Sequence, residues 1–233
     1  MKKLISLFAS LMLLSILVVI QAGAVPTGWT PANVSNETFT NTSGSMAARG
    51  GNITNVDFTN VITETSKWQG YYGNVTGEIM LGTSSTEKMY NWTINTIAGE
   101  VYATQASTMN FTAWEDLNAR TGAEIDTDFG FTGDDSDNAS ETFTSDPPMI
   151  NVSGRQINGG ANTAARTFNA AGTPTWWTIA LARTSAAESN YVFAGVISND
   201  GQAFDGTTKD FQMIVPENEN AGVDTYYFYV ELT

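Results

Sequence analysis

The chain contains no cysteine and no histidine, and of its 233 residues only ten are Lys or Arg against twenty-four Asp or Glu. Each shortage closes off a class of chemistry. Without thiols there is no disulfide framework, no thiol nucleophile and no Cys-ligated metal. Without imidazole there is no Ser-His-Asp triad and no His-ligated zinc. Small secreted domains lean on disulfides because their cores are small, whereas about 200 residues bury enough to do without them. The formal net charge of −14 speaks against a nucleic-acid partner, since phosphates are held by clustered Lys and Arg. A scattered acidic exterior suits a soluble, mutually repelling surface that attracts divalent cations.

Long apolar runs are confined to the start. Residues 1–24, MKKLISLFASLMLLSILVVIQAGA, combine a two-lysine opening, an apolar run from Leu4 to Ile20 and small residues at Ala22 and Ala24. That is the anatomy of a secretory signal peptide, which sends the rest of the chain outside the cell. The run also approaches the length of a membrane span, so a retained anchor is the alternative. Cleavage would remove Lys2 and Lys3, leaving eight basic residues against twenty-four acidic ones and a net charge of −16. Residues 25–51 are rich in Thr, Ser, Asn, Gly and Pro and read as an extended amino-terminal arm. Its larger apolar residues, Val25, Trp29, Val34 and Phe39, are the candidate anchors for assembly.

From residue 52 to 233 the pattern changes to short apolar stretches rich in β-branched and aromatic residues, separated by Gly, Asn, Asp and Pro. Those are strand and turn signals. Strands are expected at Val56–Thr63, Tyr71–Leu81, Lys88–Ile94, Glu100–Gln105, Ile150–Ile157, Trp176–Arg183, Tyr191–Ser198, Phe211–Val215 and Thr225–Leu232. In the last, Tyr226, Phe228, Val230 and Leu232 fall on one face and Thr225, Tyr227, Tyr229 and Glu231 on the other. In Trp68–Leu81, alternation puts Val75, Ile79 and Leu81 with Tyr71, and Asn74, Thr76 and Glu78 with Trp68 and Tyr72; the glycines permit a bulge. One helix is expected in TAWEDLNARTG, with Thr112 as cap, Glu115 reaching back and Gly122 as the left-handed stop. The fold class is therefore all-β, an antiparallel β-sandwich with one short crossover helix and an extended N-terminal arm. The chain ends at Thr233, directly after the last strand, so no carboxy-terminal membrane anchor is expected.

The strongest motif is Asn-x-Ser/Thr, found at Asn33, Asn36, Asn41, Asn52, Asn74, Asn91, Asn110, Asn138 and Asn151. With this much Ser and Thr, chance would give roughly four such triplets among the asparagines, so the excess is about twofold. Behind a signal peptide, that enrichment points to covalent N-glycans. In the acidic run from Glu124 to Glu141, Asp126, Asp128, Asp134, Asp135 and Asp137 are candidate calcium ligands in a Gly-containing loop. The spacing is not that of an EF-hand, and a solvated acidic loop is the simpler reading. A pair of carboxylates acting on a glycosidic bond needs neither His nor Cys, but no motif singles out such a pair. The aromatic pairs Tyr71-Tyr72, Trp176-Trp177 and Tyr226-Tyr227 should each send one ring to the core, leaving the other for a sugar or a subunit contact.

Several stretches resemble a group of uncharacterised archaeal secreted or cell-surface N-glycoproteins. They are W-x-G-Y-Y-G-N-V-T-G-E-I at Trp68–Ile79, Y-N-W at Tyr90–Trp92, G-E-V-Y-A-T at Gly99–Thr104, D-F-Q-M-I-V-P at Asp210–Pro216 and T-Y-Y-F-Y-V-E-L at Thr225–Leu232. The resemblance covers most of the chain from about residue 60 and implies an extracellular address without implying an activity. The expectation is a non-enzymatic structural glycoprotein of the cell surface, a subunit of a filament or layer that assembles with identical copies through its arm. The alternative is a monomeric carbohydrate-binding or adhesion module using exposed aromatics and calcium.

Overall fold

The computed structural model describes residues 26–28, 34–38, 45, 47–59, 61–111, 117–132, 135–183, 190–217 and 224–233. The signal segment lies outside them, as do Val25, Trp29, Asn33, Phe39, Asn41 and Asp134 of the candidate residues. Among the described residues fifteen strands run in chain order: β1 Thr27–Gly28, β2 Trp68–Gly73, β3 Ile79–Gly82, β4 Lys88–Trp92, β5 Gly99–Thr104, β6 Asn118–Ala119, β7 Ile150–Val152, β8 Arg155–Ile157, β9 Ala164–Phe168, β10 Pro174–Ala182, β11 Tyr191–Val196, β12 Gly201–Gln202, β13 Thr208–Lys209, β14 Phe211–Pro216 and β15 Tyr227–Leu232. Helices α1, Gly122–Phe129, and α2, Ala139–Thr142, are short.

The main sheet is antiparallel throughout, in the order β1-β15-β5-β11-β10-β6, with β9 also paired to β10. Its central strands are apolar on both faces because both faces are covered. On β10 and β11, Ala180, Ala182, Tyr191 and Phe193 point into one core, while Ile179, Leu181, Val192 and Ala194 point into the other. The first core is roofed by the β2–β14 ribbon and by α1, which supply Tyr71, Met213, Val215, Ile125 and Phe129. The second is closed by Phe111, Leu117 and the β7–β8 hairpin through Ile150, Val152 and Ile157. Polar side chains pin the ribbon down: Thr178 Oγ1 accepts from the Ile214 amide at 3.1 Å, and Gln212 Nε2 donates to Thr167 Oγ1 at 2.7 Å. The all-β, antiparallel, sandwich-like class is the one the alternation predicts.

The last strand divides its faces as expected. Phe228, Val230 and Leu232 enter the first core with Tyr226, and Tyr229 packs against the second. Several expectations fail, among them the single strand Ile150–Ile157, which is the β7–β8 hairpin. The run Tyr71–Leu81 is two strands, because the Asp210 carboxylate takes the Val75 amide at 2.8 Å and draws the chain off the β2 ladder. Val75 is buried and Asn74 exposed, but Ile79 and Leu81 are exposed on a separate hairpin, β3–β4. Trp68 leaves the Asn74 face, its ring lying 5.7 Å from Phe131 and 5.9 Å from Phe143 while Nε1 donates to the Asp137 carbonyl.

The expected helix stop at Gly122 is instead a helix start. Residues 112–116 lie outside the described residues, and Leu117 is buried ahead of β6, which pairs with the end of β10. Gly122 therefore opens α1. Thr121 caps it, with Glu124 reaching back to the Thr121 amide at 2.8 Å, and Gly130 closes it in the left-handed region at φ 71°. Among the described residues of Val56–Thr63 none lies in a strand, and residues 47–59 and 61–66 lie exposed. Lys67 is the first buried residue described after this stretch.

Candidate functional site

Local chemistry decides what each sequon asparagine can do. Asn36, Asn52, Asn74, Asn91, Asn110 and Asn151 are all exposed, as a glycan acceptor must be in the folded chain. Asn138 is not: it is 3% exposed, and its side-chain oxygen accepts from the Glu141 amide at 2.7 Å as the cap of α2. Asn is among the best N-caps because its short carbonyl reaches the free amides of the first turn. At Asn138 that structural role accounts for the residue.

Helices α1 and α2 take up the two ends of the acidic run, and the carboxylates of Asp126, Asp128, Asp135 and Asp137 accept from internal partners. Asp126 accepts from the amides of Ala139 at 2.6 Å and Ser140 at 3.0 Å, joining α1 to the start of α2. Asp128 accepts from the Tyr191 hydroxyl at 2.7 Å. Asp135 and Asp137 grip Lys67 Nζ at 2.9 and 2.7 Å. Their hydrogen bonds to Lys67 hold both carboxyls below the usual range, and the same bonds, Asp137 first, raise the Lys67 ammonium. Lys67 is buried and its partners half exposed, so this latch ties the start of β2 to the helical segment. Among the described residues, no group of three or more acidic side chains is gathered as a metal site.

A different carboxylate cluster is deeply buried. Glu100 and Glu231 stand opposite each other on β5 and β15, only 7% and 2% exposed, on the face covered by the β7–β8 hairpin. The Tyr102 hydroxyl donates to Glu231 Oε2 at 3.0 Å, and the Ser153 amide, at the hairpin turn, donates to the same oxygen at 2.9 Å. Burial first, then the neighbouring Glu231 charge, pushes the Glu100 carboxyl up to about 7. Burial likewise raises Glu231, and burial followed by the two carboxylates raises the Tyr102 phenol far above its ordinary value. Two carboxyls forced together keep a proton that would otherwise be lost. Catalytic pairs share this chemistry, but here the hairpin lies over the acids, its turn amide bonded to one of them.

The aromatic pairs split as expected. Tyr71 stacks edge-on to Phe228 at 4.8 Å, Trp176 is buried with Nε1 donating to the Gln202 carbonyl at 2.9 Å, and Tyr226 donates to the Pro216 carbonyl at 2.7 Å. Their neighbours are less free than the sequence suggests: Tyr72 packs edge-on against Phe204, and Trp177 lies under the Arg166 guanidinium at 4.4 Å. Only Tyr227 of the three is exposed. Further exposed aromatics are Phe58, Phe168, Phe204 and, on β4, Tyr90 and Trp92 with ring centroids 5.0 Å apart. K-M-Y-N-W is legible as a strand, but nothing local says that its sheet ends with its own hairpin.

Of the arm anchors, Val34 is described and exposed. Among its described residues the arm meets the domain where Thr27–Gly28 pairs with Val230 and Tyr229 as β1 on the edge of β15, and where the Glu37 carboxylate accepts from the Tyr72 hydroxyl at 3.1 Å. Among the described residues no helix is long and apolar enough to cross a membrane. Compared with known protein families, curated proteins and solved structures, the chain matches none.

Proposed function

We propose that the protein is a non-enzymatic extracellular structural glycoprotein, a subunit of a surface filament or layer that assembles through its N-terminal arm. The observation that carries this reading is the edge of the main sheet. β15 spans six residues, and among the described residues its outer side is paired with Thr27 and Gly28 of β1, which belong to the arm. An arm held on a sheet edge by ladder bonds can be exchanged for the equivalent arm of another copy, because the same backbone groups are satisfied in either case. The secretory signal, the excess of sequons and the resemblance to archaeal surface glycoproteins support the address. The covered Glu100–Glu231 pair supports a non-enzymatic role, since a substrate would have to displace the hairpin to reach it.

Deleting residues 25–48 tests the mechanism. A folded monomer that no longer assembles is expected, and polymers formed by the truncated protein would show that arm exchange is wrong. Electron microscopy of the native surface tests the address and the assembly together. The exposed Tyr90–Trp92 pair favours a second reading, a carbohydrate-binding module. Selective binding on a glycan array by a protein that stays monomeric would favour it over the first.

A further inference from the structure

The Glu100–Glu231 cluster has more acceptors than protons. The fully buried Tyr102 hydroxyl lies within reach of Glu231 Oε2 at 3.0 Å, the Asn151 carbonyl at 3.3 Å and Glu100 Oε2 at 3.5 Å, and it has one proton to give. The Ser153 amide serves Glu231, and the Asn151 amide serves Glu100. With both acids ionised, four carboxylate oxygens and a carbonyl compete for these three donors in a buried site. One further proton on the pair supplies a fourth donor. It also removes one of two like charges that face each other across the paired strands β5 and β15.

The β7–β8 hairpin meets this cluster through backbone groups of Asn151 and Ser153, while Ile150, Val152 and Ile157 send their side chains into the second core. Ser153 stands in the left-handed region at φ 51°, ahead of Gly154 at φ 79°, and the tight turn they form aims the Ser153 amide at Glu231. A non-glycine residue holds that conformation only with support from its surroundings. β5 is paired on both sides, with β11 and β15, whereas β7 and β8 pair with each other over three residues. The hairpin is therefore the part that can lift with least loss of structure when the acids need water. The other ionisable groups on this face are Tyr229 on β15, Arg166 on β9, stacked on Trp177, and Arg155 on β8, half-buried opposite Val152. On this face β1, β10 and β11 add none. Burial and the Glu231 charge outweigh the attraction of the arginines, because the Glu100 carboxyl is pushed up and not down.

We propose that the β7–β8 hairpin is a pH-operated cover: with a proton retained by the Glu100–Glu231 pair it lies closed on the second core, and loss of that proton lifts it as a unit while the main sheet stays folded. The cover goes beyond self-assembly and does not depend on it. Opened, it brings Ile150, Val152 and Ile157 to water together with both acids, so a rise in external pH changes the face that the molecule shows. The working range follows from Glu100, raised from 4.5 to about 7. Such a group favours the open form increasingly as the pH climbs from 4.5, and the effect levels off above about 7. Between pH 5 and pH 8 the open fraction rises roughly 30- to 100-fold.

Hydrogen exchange read by mass spectrometry on the full chain, at pH 5 and pH 8 and corrected for the intrinsic pH dependence of amide exchange, tests the cover. Amides of residues 150–157 should lose protection roughly 30- to 100-fold between the two pH values. At pH 8 they should also be roughly tenfold or more less protected than the amides of β10 and β11, which open only with the whole molecule. Equal protection of the hairpin and of β10–β11 at both pH values would overturn the proposal, because the acids would then act on global stability alone. Hairpin protection that does not change with pH would overturn it as well. In Glu100→Gln, which keeps the shape and removes the titrating group, the hairpin should be equally protected at pH 5 and pH 8. A loss of protection that persists in this variant would place the trigger elsewhere and sink the proposal. If the variant does not fold, the comparison within the unmodified chain decides by itself.

Discussion

Glu100 shows what a residue can do that its neighbours in sequence do not announce. Its partner Tyr102 lies two positions away, but the acceptor that matters to both, Glu231, is 129 residues from Tyr102 in the chain. No local pattern marks them, whereas the sequons at Asn74, Asn91 and Asn151 are local and were legible at once. At Asn138 the triplet that signals a glycan also spells the cap of α2. The buried pair has a measurable consequence. A carboxyl raised from 4.5 to about 7 binds its proton in the folded state over a range where the unfolded chain has lost it. Stability is then full below about pH 4.5 and declines as the pH rises through 7. The depressed Asp135 and Asp137 act in the opposite sense but only at lower pH, as they protonate. Thermal unfolding should therefore show a stability about 2–3 kcal/mol higher at pH 5 than at pH 8. Glu100→Gln, which keeps the shape and removes the charge, should flatten most of that slope and stabilise the protein at pH 8. An unchanged slope would mean that Glu100 is ionised throughout.

At the scale of elements, periodicity identified β4, β5, β10, β11, β14 and β15 because each is short, alternating and bounded by turn residues. It missed β9, whose A-A-R-T-F lacks a β-branched run and is held by pairing with β10, and the two-residue strands β1, β6, β12 and β13, and it joined the β7–β8 hairpin into one strand. The cap of the expected helix, Thr112 with Glu115, lies outside the described residues, and a second Thr-x-x-Glu pattern nine residues on starts α1. Burial of Leu117 and pairing of β6 with β10 commit the chain before Gly122, leaving Thr121 and Glu124 to start α1. Gly122 is required there by space. A Cβ at this position would run into the backbone of Ala139 and Ser140 at the start of α2. Helix propensity alone would favour Gly122→Ala by up to about 1 kcal/mol, but forcing two backbones apart costs about 1–3 kcal/mol and wins. The expected result is a net loss of about 1–2 kcal/mol, a fall in melting temperature of about 2–8 °C for a chain of this size. A gain in stability would show that α2 moves aside freely.

For the whole molecule, fold class followed from the alternation of strands, but topology did not. The return of β15 to pair with β5, and of β14 to roof the sheet with β2, joins residues more than a hundred positions apart. Those pairings, and with them the exposed hairpin, are set by which apolar faces find cover. Charge is the one whole-molecule property the composition gives outright, and it bears on assembly. Copies with a net charge of −14 repel one another at long range, so contacts made through apolar side chains and strand edges should strengthen as salt screens that repulsion. Light scattering is expected to show subunits dissociated at about 10 mM ionic strength, where the Debye length is about 30 Å, and associated at about 0.15 M, where it is about 8 Å. Sodium and calcium chloride at equal ionic strength should act alike, because Asp126, Asp128, Asp135 and Asp137 are engaged by internal donors. Assembly promoted by calcium alone would place a cation between copies on the acidic surface. Dissociation by salt of either kind would mean that ion pairs, not the strand-edge exchange proposed along β15, drive association.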